Sequence, residues 1–390
     1  MRTALVHYWL LGMRGGEKVL EAMCRIYPEA DIFTLFYNPE AVSPLIRSHT
    51  VHASFLNPFQ RVYRSLLPLM PMALEDFDLR GYDLVISSES GPAKGVLTSA
   101  TSRHFCYCHT PMRYLWELYP AHRREFGGNK LKHAIFAPVA NYMRLWDYAT
   151  SARVDGFMAN SRNVNHRIWR AYRRRSTVVY PPVAVETFRF SPPDDYFLMV
   201  SEMVAYKRLD YAIRCFTRSG RRLKVVGAGP DYKSLKKQAG PSVEFCGRVT
   251  DTELRDLYAR CRALVVPGEE DFGINMVEAL ASGKPVIALA RGGAIEIVEN
   301  GRGLLYPEPD EANLEEALQA FDRIESRIDS LALIESTGAY SETVFRQRFL
   351  ATVENMSLRR SGRTAPPSTG GPVLVPPIHT AAGLKSLASG

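Results

Sequence analysis

Short apolar runs alternate with segments of helical pattern along most of this chain, and they do so in two series. ALVHY, DIFTLFY, DLVISS, HFCYC, DGFMANS and STVVYPPV make the first; YFLMVS, LKVVGAG, VEFCG, ALVVPG and PVIALA, starting at Tyr196, make the second. Strand and helix in alternation is the pattern of a parallel sheet covered by helices, so the chain is α/β with two doubly wound, Rossmann-like domains. The stretch YPPVAVETFRFSPPDD carries four prolines and little helical period, which places the boundary between Pro181 and Pro193. Residues 1–187 then form the first domain and 188–340 the second. A length of 390 residues, 46% hydrophobic, gives each domain enough apolar side chains for a core of its own.

Past the second series, Val344, Phe345, Phe349 and Val353 recur at helical spacing behind Ser341, a good N-cap, and predict a helix over 341–358. Residues 359–390 are rich in Pro, Gly and Ser without period and are expected to be disordered. Arg2 to Tyr8 reads as a strand rather than a secretory signal, and the absence of an 18-residue apolar run predicts no membrane span. The cysteines at 24, 106, 108, 215, 246 and 261 lack the paired knuckles of a zinc site and are expected to be reduced thiols. Asp76-Phe77-Asp78 has the spacing of a cation pair but falls at the end of a helical pattern, so no metal is expected.

Several loops carry chemistry. Glu270 and Glu278 stand eight apart in EEDFGINMVEALASGKPVIA, which reads as loop, helix and buried strand. At ~100° and ~1.5 Å per residue, a helix begun at Glu270 would put the two acids near one face, ~12 Å apart along the axis. The turn through Phe272 and Gly273 into Ile274 and Asn275 would offer free backbone N–H groups to an anionic or hydroxyl-rich ligand. Gly15 and Gly16 open the helix after the first strand and would let a phosphate approach the backbone, though a plain tight turn needs the same residues. Lys207 and Arg208 place two cations at a helix start, suited to a leaving diphosphate. His109 follows a strand's carboxyl end, where open α/β sheets hold ligands, with Arg113 and Trp116 close behind as acceptor-side groups; a structural His and a packed Trp are the simpler accounts. Gly227, and Gly247 with Arg248 and Val249, end strands of the second domain where a nucleoside can rest on backbone. Tyr232 stands where a dinucleotide fingerprint would have its third glycine, which argues against hydride transfer.

The acidic pair, the glycine loop, CYCHTPMRYLW, ANSRNV, VVYPPV and AYKRLD resemble, in order, the motifs of retaining glycosyltransferases of family 4. Within it they look like the mannosyltransferase branch that builds bacterial O-antigens and exopolysaccharides. The resemblance implies the GT-B fold, a last helix that returns to the first domain, GDP-mannose as donor, a polyprenyl-diphosphate-linked saccharide as acceptor, and no cofactor. It implies roles as well: Glu270 beside the donor sugar, Glu278 on the ribose hydroxyls, Lys207 and Arg208 with the Gly15–Gly16 loop on the diphosphate, and His109 on the reacting sugar. The chain departs from the family at Glu202, five residues before Lys207, where an arginine is usual.

No acid in the first domain is poised as a glycosidase nucleophile is, so retention is expected by a same-face route in which the departing phosphate takes the acceptor's proton. Transfer from a UDP- or dTDP-sugar, sugar-nucleotide 2-epimerisation, and a nucleotide-binding homologue without turnover remain open alternatives. A formal charge of +8 points to an anionic partner. Basic residues cluster over 162–175 and mix with aromatics over 113–144, which suits the inner, cytoplasmic face of the bacterial membrane as well as an ordinary solvated helix face. No nucleic-acid module accompanies the charge, and nucleic acid is not an expected partner.

Overall fold

The structure is a computed structural model that describes residues 1–120 and 130–360. Strands β1 (Thr3–His7), β2 (Asp31–Thr34), β3 (Val51–Ala53), β4 (Leu84–Glu89), β5 (Arg103–Cys108), β6 (Gly156–Ala159) and β7 (Ser176–Val178) form one parallel sheet in the order β3-β2-β1-β4-β5-β6-β7. Strands β8 (Phe197–Val200), β9 (Leu223–Val226), β10 (Val243–Gly247), β11 (Leu264–Val266), β12 (Val286–Leu289) and β13 (Gly303–Tyr306) form a second, in the order β10-β9-β8-β11-β12-β13. The order reverses between β1 and β4 and again between β8 and β11, and each reversal opens a crevice at the strands' carboxyl ends. Register makes the first crevice specific: His7 lies beside Ser88, and Glu89 beside Cys108, so His109 emerges against the end of β4.

Each sheet is covered by helices whose apolar faces fill its core. In the first domain Val19, Leu20 and Met23 of helix Gly15–Ile26 pack with Leu5 and Ile32 of the strands. Helix Glu342–Arg360 joins the same core through Phe345, Phe349 and Val353, with the two phenyl rings 5.9 and 6.3 Å from Tyr107. Three such buried side chains contribute roughly 1.5–3 kcal/mol each, enough to hold the chain's end on the domain where it began. In the second domain Phe197 lies between Phe216 and Phe321, at 5.3 and 5.7 Å. The two passages between domains touch, because Val183 N–H donates to Tyr340 O at 2.9 Å.

Edge strands β3 and β13 are additions to the pattern read from sequence. Of the segment expected to be disordered, 359–390, residues 359 and 360 are instead helical, since the last helix runs to Arg360; residues 361–390 lie outside the described residues, as does the 121–129 part of the basic, aromatic stretch. All six cysteines are free thiols, five of them buried. Asp78 forks the guanidinium of neighbouring Arg80 at 2.8 and 2.7 Å, and this hydrogen bonding holds its carboxyl down at about 2.

Candidate functional site

Two loops of the second domain bring Lys207 and Glu270 together. After β8 the chain makes a tight turn over Ala205–Lys207, and Arg208, in the left-handed region at φ 52°, starts the next helix. After β11 it bends at Gly268 and reaches Glu270, which pairs with Gly292 as a bridge, and Gly293 N–H donates to Glu270 O at 2.8 Å. These loops touch backbone to backbone: a Cβ on Gly292 would lie 2.2 Å from Glu270 O, and one on Gly293 2.1 Å from Phe272 O. Because β8 and β11 are neighbours, Lys207 Nζ reaches Glu270 Oε2 at 2.5 Å, with the two side chains 15% and 17% exposed. Burial works to discharge the ammonium, and the carboxylate beside it more than reverses this, so the Lys207 pKa is raised.

Glu278 sits elsewhere than the eight-residue spacing suggested. Gly273, at φ 95°, delays the helix, which spans only Ile274–Ala281, so Glu278 lies little more than a turn inside it. Its carboxylate is nearly buried, accepts a hydrogen bond from Tyr258 OH at 2.9 Å through Oε2, and faces Lys18 of the first domain at 3.8 Å through Oε1. It lines a cavity of about 180 Å³ between the domains, walled also by Lys18, Pro182, Leu254 and Ile274.

Across the cleft, Gly15 and Gly16 open the helix behind Arg14, and Glu17 Oε2 caps it by accepting from Arg14 N–H at 3.0 Å. A Cβ on Gly15 would meet Ile274 Cδ1 at 3.0 Å, so the glycine loop abuts the helix that carries Glu278. Arg14 Nη1 stands 3.5 Å from Glu202 Oε2 of the second domain. His109 is held by its backbone N–H on Glu89 O at 2.7 Å, and its Nε2 meets Ser88 Oγ at 2.9 Å, which in turn meets His7 Nδ1 at 3.1 Å. Burial, then His7, push the His109 imidazole down to about 3, so it is neutral at physiological pH.

The remaining sequence candidates divide. Gly227 N–H donates to Gly247 O at 2.8 Å and a Cβ there would lie 2.0 Å from Ser201 O, so both glycines gather at the carboxyl ends of β8 to β10. Asn275 Nδ2 donates to Val200 O at 3.1 Å, tying the Glu278 helix to β8. Phe272 is a core side chain packed with Tyr180 and Tyr340, and Ile274 and Val249 pack against the same core. Arg248 is exposed. Arg208 turns to Pro309 O at 3.2 Å and Asp210 at 3.5 Å rather than to Glu270. Trp116 donates its indole N–H to buried Asp147 at 2.8 Å, while Arg113 faces the second domain at Asp271, 3.3 Å away. Sequence reasoning missed Arg14, Lys18, Tyr258 and Arg167; Arg14 had a local signal, standing directly before Gly15, and Arg167 another, in its place on the apolar stripe of its helix.

Residues 162–330 match the model of the family described as glycosyl transferases group 1. Among curated proteins, the O-antigen chain mannosyltransferase C of Escherichia coli is 26% identical over 189 residues, covering 46% of this chain and 47% of that protein. The GDP-mannose-dependent alpha-mannosyltransferase of Corynebacterium glutamicum is 39% identical over 95 residues, covering 24% and 23%. The chain spans about half the length of the curated relatives it matches, or less. Among solved structures, Anabaena Alr3699/HepE in complex with UDP-glucose superposes with a TM-score of 0.69 at 18% identity, over 91% of this chain and 100% of that one. Two parallel Rossmann-like sheets with such neighbours are the GT-B fold of glycosyltransferases.

Proposed function

We propose that this chain is a retaining glycosyltransferase that moves mannose from GDP-mannose to a polyprenyl-diphosphate-linked saccharide in bacterial surface polysaccharide synthesis. The observation that carries the reading is the Lys207–Glu270 pair at the carboxyl ends of β8 and β11, within a cleft that the Gly15–Gly16 helix start closes from the other side. Binding a sugar nucleotide there would set the diphosphate between Lys207 and the glycine loop, the sugar at Glu270, and the ribose at the Oε1 side of Glu278. Negative charge grows on the diphosphate as the glycosidic bond breaks, and preorganised cations stabilise that growth most where water is excluded. Arg14, 3.5 Å from Glu202, brings from the first domain the second cation that position 202 lacks. The departing phosphate then takes the acceptor's proton on the same face, with neutral His109 accepting or donating to the sugar's hydroxyls. The scheme calls for no metal ion.

The relatives' names support mannose and GDP-mannose, and an apolar surface supports work at the inner face of the cytoplasmic membrane. Helix Lys130–Thr150 buries Ala140, Met143 and Asp147 on one side and exposes Pro138, Tyr142, Leu145 and Tyr148 on the other. The acid-free stretch 41–74 adds exposed Phe59, Val62 and Met72 together with Arg47, Arg61 and Arg64. Among the described residues no helix is long and apolar enough to cross a membrane, so such contact would be peripheral. Calorimetric titration with GDP, UDP and dTDP, followed by transfer assays on a lipid-linked acceptor, tests the reading. Tight GDP binding with mannose transfer supports it; preference for UDP or dTDP moves it to another donor, and nucleotide binding without transfer, which Glu202 would favour, makes the chain an inactive homologue.

A further inference from the structure

Glu270 lies between two other acids, and both face the first domain. Arg167, on helix Arg162–Tyr172, bonds Glu269 through Nη2 and Asp271 through Nη1. Arg113, in the loop after β5, approaches the same two oxygens at 3.9 and 3.3 Å. Glu117 completes the cluster from the first domain, 2.9 Å from Arg167 Nε and 3.6 Å from Arg113 Nε. Ser161 Oγ adds a hydrogen bond to Asp271 O at 2.7 Å. Arg167 is only 6% exposed and Arg113 11%, so two desolvated guanidinium groups meet three carboxylates where the domains join.

Successive side chains of an extended segment point to opposite sides. Glu270 sits at a strand-like bridge to Gly292, with Glu269 just before it and a bend at Asp271. With Glu269 and Asp271 anchored to the first domain, the carboxylate of Glu270 is turned the other way, onto Lys207.

We propose that Arg167, backed by Arg113, is a positioning residue that aligns Glu270 with the donor sugar only when the two domains have closed. This rests on the reading of Glu270 as the group that orients that sugar. With the domains apart, Glu269 and Asp271 are hydrated and nothing in the first domain fixes their direction. On closure the planar guanidinium presents its donors in a rigid fork that spans both carboxylates at once, a geometry that an ammonium does not reproduce. Glu270 is then oriented in the same step that excludes water from the cleft. Lys207 and Glu278 belong to the second domain and stay in place with the clamp open, and only the Gly15–Gly16 loop is withdrawn with the first domain, so losing the clamp costs kcat far more than GDP affinity.

The test replaces Arg167 with Lys and with Met in the full chain, and Glu269→Gln with Asp271→Asn as an isosteric pair from the other domain, which guards against a misfolded first domain. Each variant is measured for kcat and KM with GDP-mannose, for GDP affinity by calorimetry, and for compactness by small-angle scattering with and without GDP. The clamp predicts a loss of kcat of about 100-fold, the scale of a ~1 Å misplacement of a reacting group, with a far smaller loss of GDP affinity, and a more open particle in both the Met variant and the double variant. Wild-type kcat in the Met variant, or a parallel loss of kcat and GDP affinity in every variant, overturns it. If the wild type turns over no donor, the functional reading fails, and scattering still decides the clamp: equal compactness of wild type and variants refutes it.

Discussion

Glu278→Gln separates a ribose-binding carboxylate from a core one. In the structure Oε2 already accepts from Tyr258 OH at 2.9 Å, whereas Lys18, at 3.8 Å from Oε1, lies beyond hydrogen-bonding distance. Oε1 is therefore the oxygen left to accept from a ribose hydroxyl in the cavity between the domains. Glutamine keeps an oxygen for Tyr258 and turns the other position into an N–H₂ donor, facing a lysine and a hydroxyl that now has no acceptor. A hydrogen bond to a charged group contributes about 1.5–3 kcal/mol, so GDP affinity falls about 10- to 150-fold.

Glu278→Ala adds a second effect. It strands the hydroxyl of Tyr258, a fully buried residue, which costs about 1–3 kcal/mol of stability beyond the lost binding. Calorimetry with GDP reads the first quantity and urea unfolding the second. Gln is expected to weaken binding at near wild-type stability, and Ala to lower both. Should the Gln variant bind GDP as the wild type does while Ala still unfolds early, Glu278 serves only to satisfy Tyr258, and the ribose assignment is wrong.

Other substitutions probe the rest of the molecule. Glu270→Ala is expected to abolish transfer with the fold intact by circular dichroism, and Lys207→Met to abolish transfer and weaken GDP binding as well, since it removes the cation from the diphosphate. Lys94 is fully buried between Glu89, at 2.9 Å, and Asp147; Lys94→Met leaves two buried carboxylates without their cation and should lower unfolding free energy in urea by about 3–5 kcal/mol. Burial pushes fully buried His104, bonded to Ser87 Oγ at 2.9 Å, down to about 4. The unfolded chain binds that proton at about 6.5, so this group's stability is held above pH 6.5 and lost as pH falls towards 4, by about 2 kcal/mol at pH 5. Urea midpoints at pH 7 and 5 should converge in His104→Gln relative to wild type.

How much of this was legible in the sequence depends on how local each feature is. The strands with continuous apolar runs were readable because burial on both faces writes itself into consecutive apolar residues, as in VIAL of β12, buried throughout. Strand β3 is three residues with two of them exposed, and β13 begins on Gly303 at the sheet's edge, so neither imposes a run of its own. The helix expected from Glu270 starts at Ile274 because one glycine takes a positive φ, which a spacing argument cannot see.

The site shows the same division more sharply. Lys207 and Glu270 were each visible at a strand's end, yet their 2.5 Å contact follows from β8 and β11 being neighbours, a consequence of crossover order. The basic run 162–175 displays charge but no partner, and it reads as a surface. Arg170 and Trp169 are indeed exposed, and Arg174 is spent on the carbonyls of Ser151 and Val154 at 2.5 and 2.6 Å. Arg167, in the same run, is buried against acids 102 and 104 residues away. What tells it apart is position on the helix: Val164, Arg167, Ile168 and Ala171 all lie on the buried face, three and four residues apart. An arginine on the apolar stripe of a helix must find carboxylates where that stripe is covered, because an unpaired buried charge is too costly to keep. That inference was available from the sequence alone, and the second domain is where its partners stand.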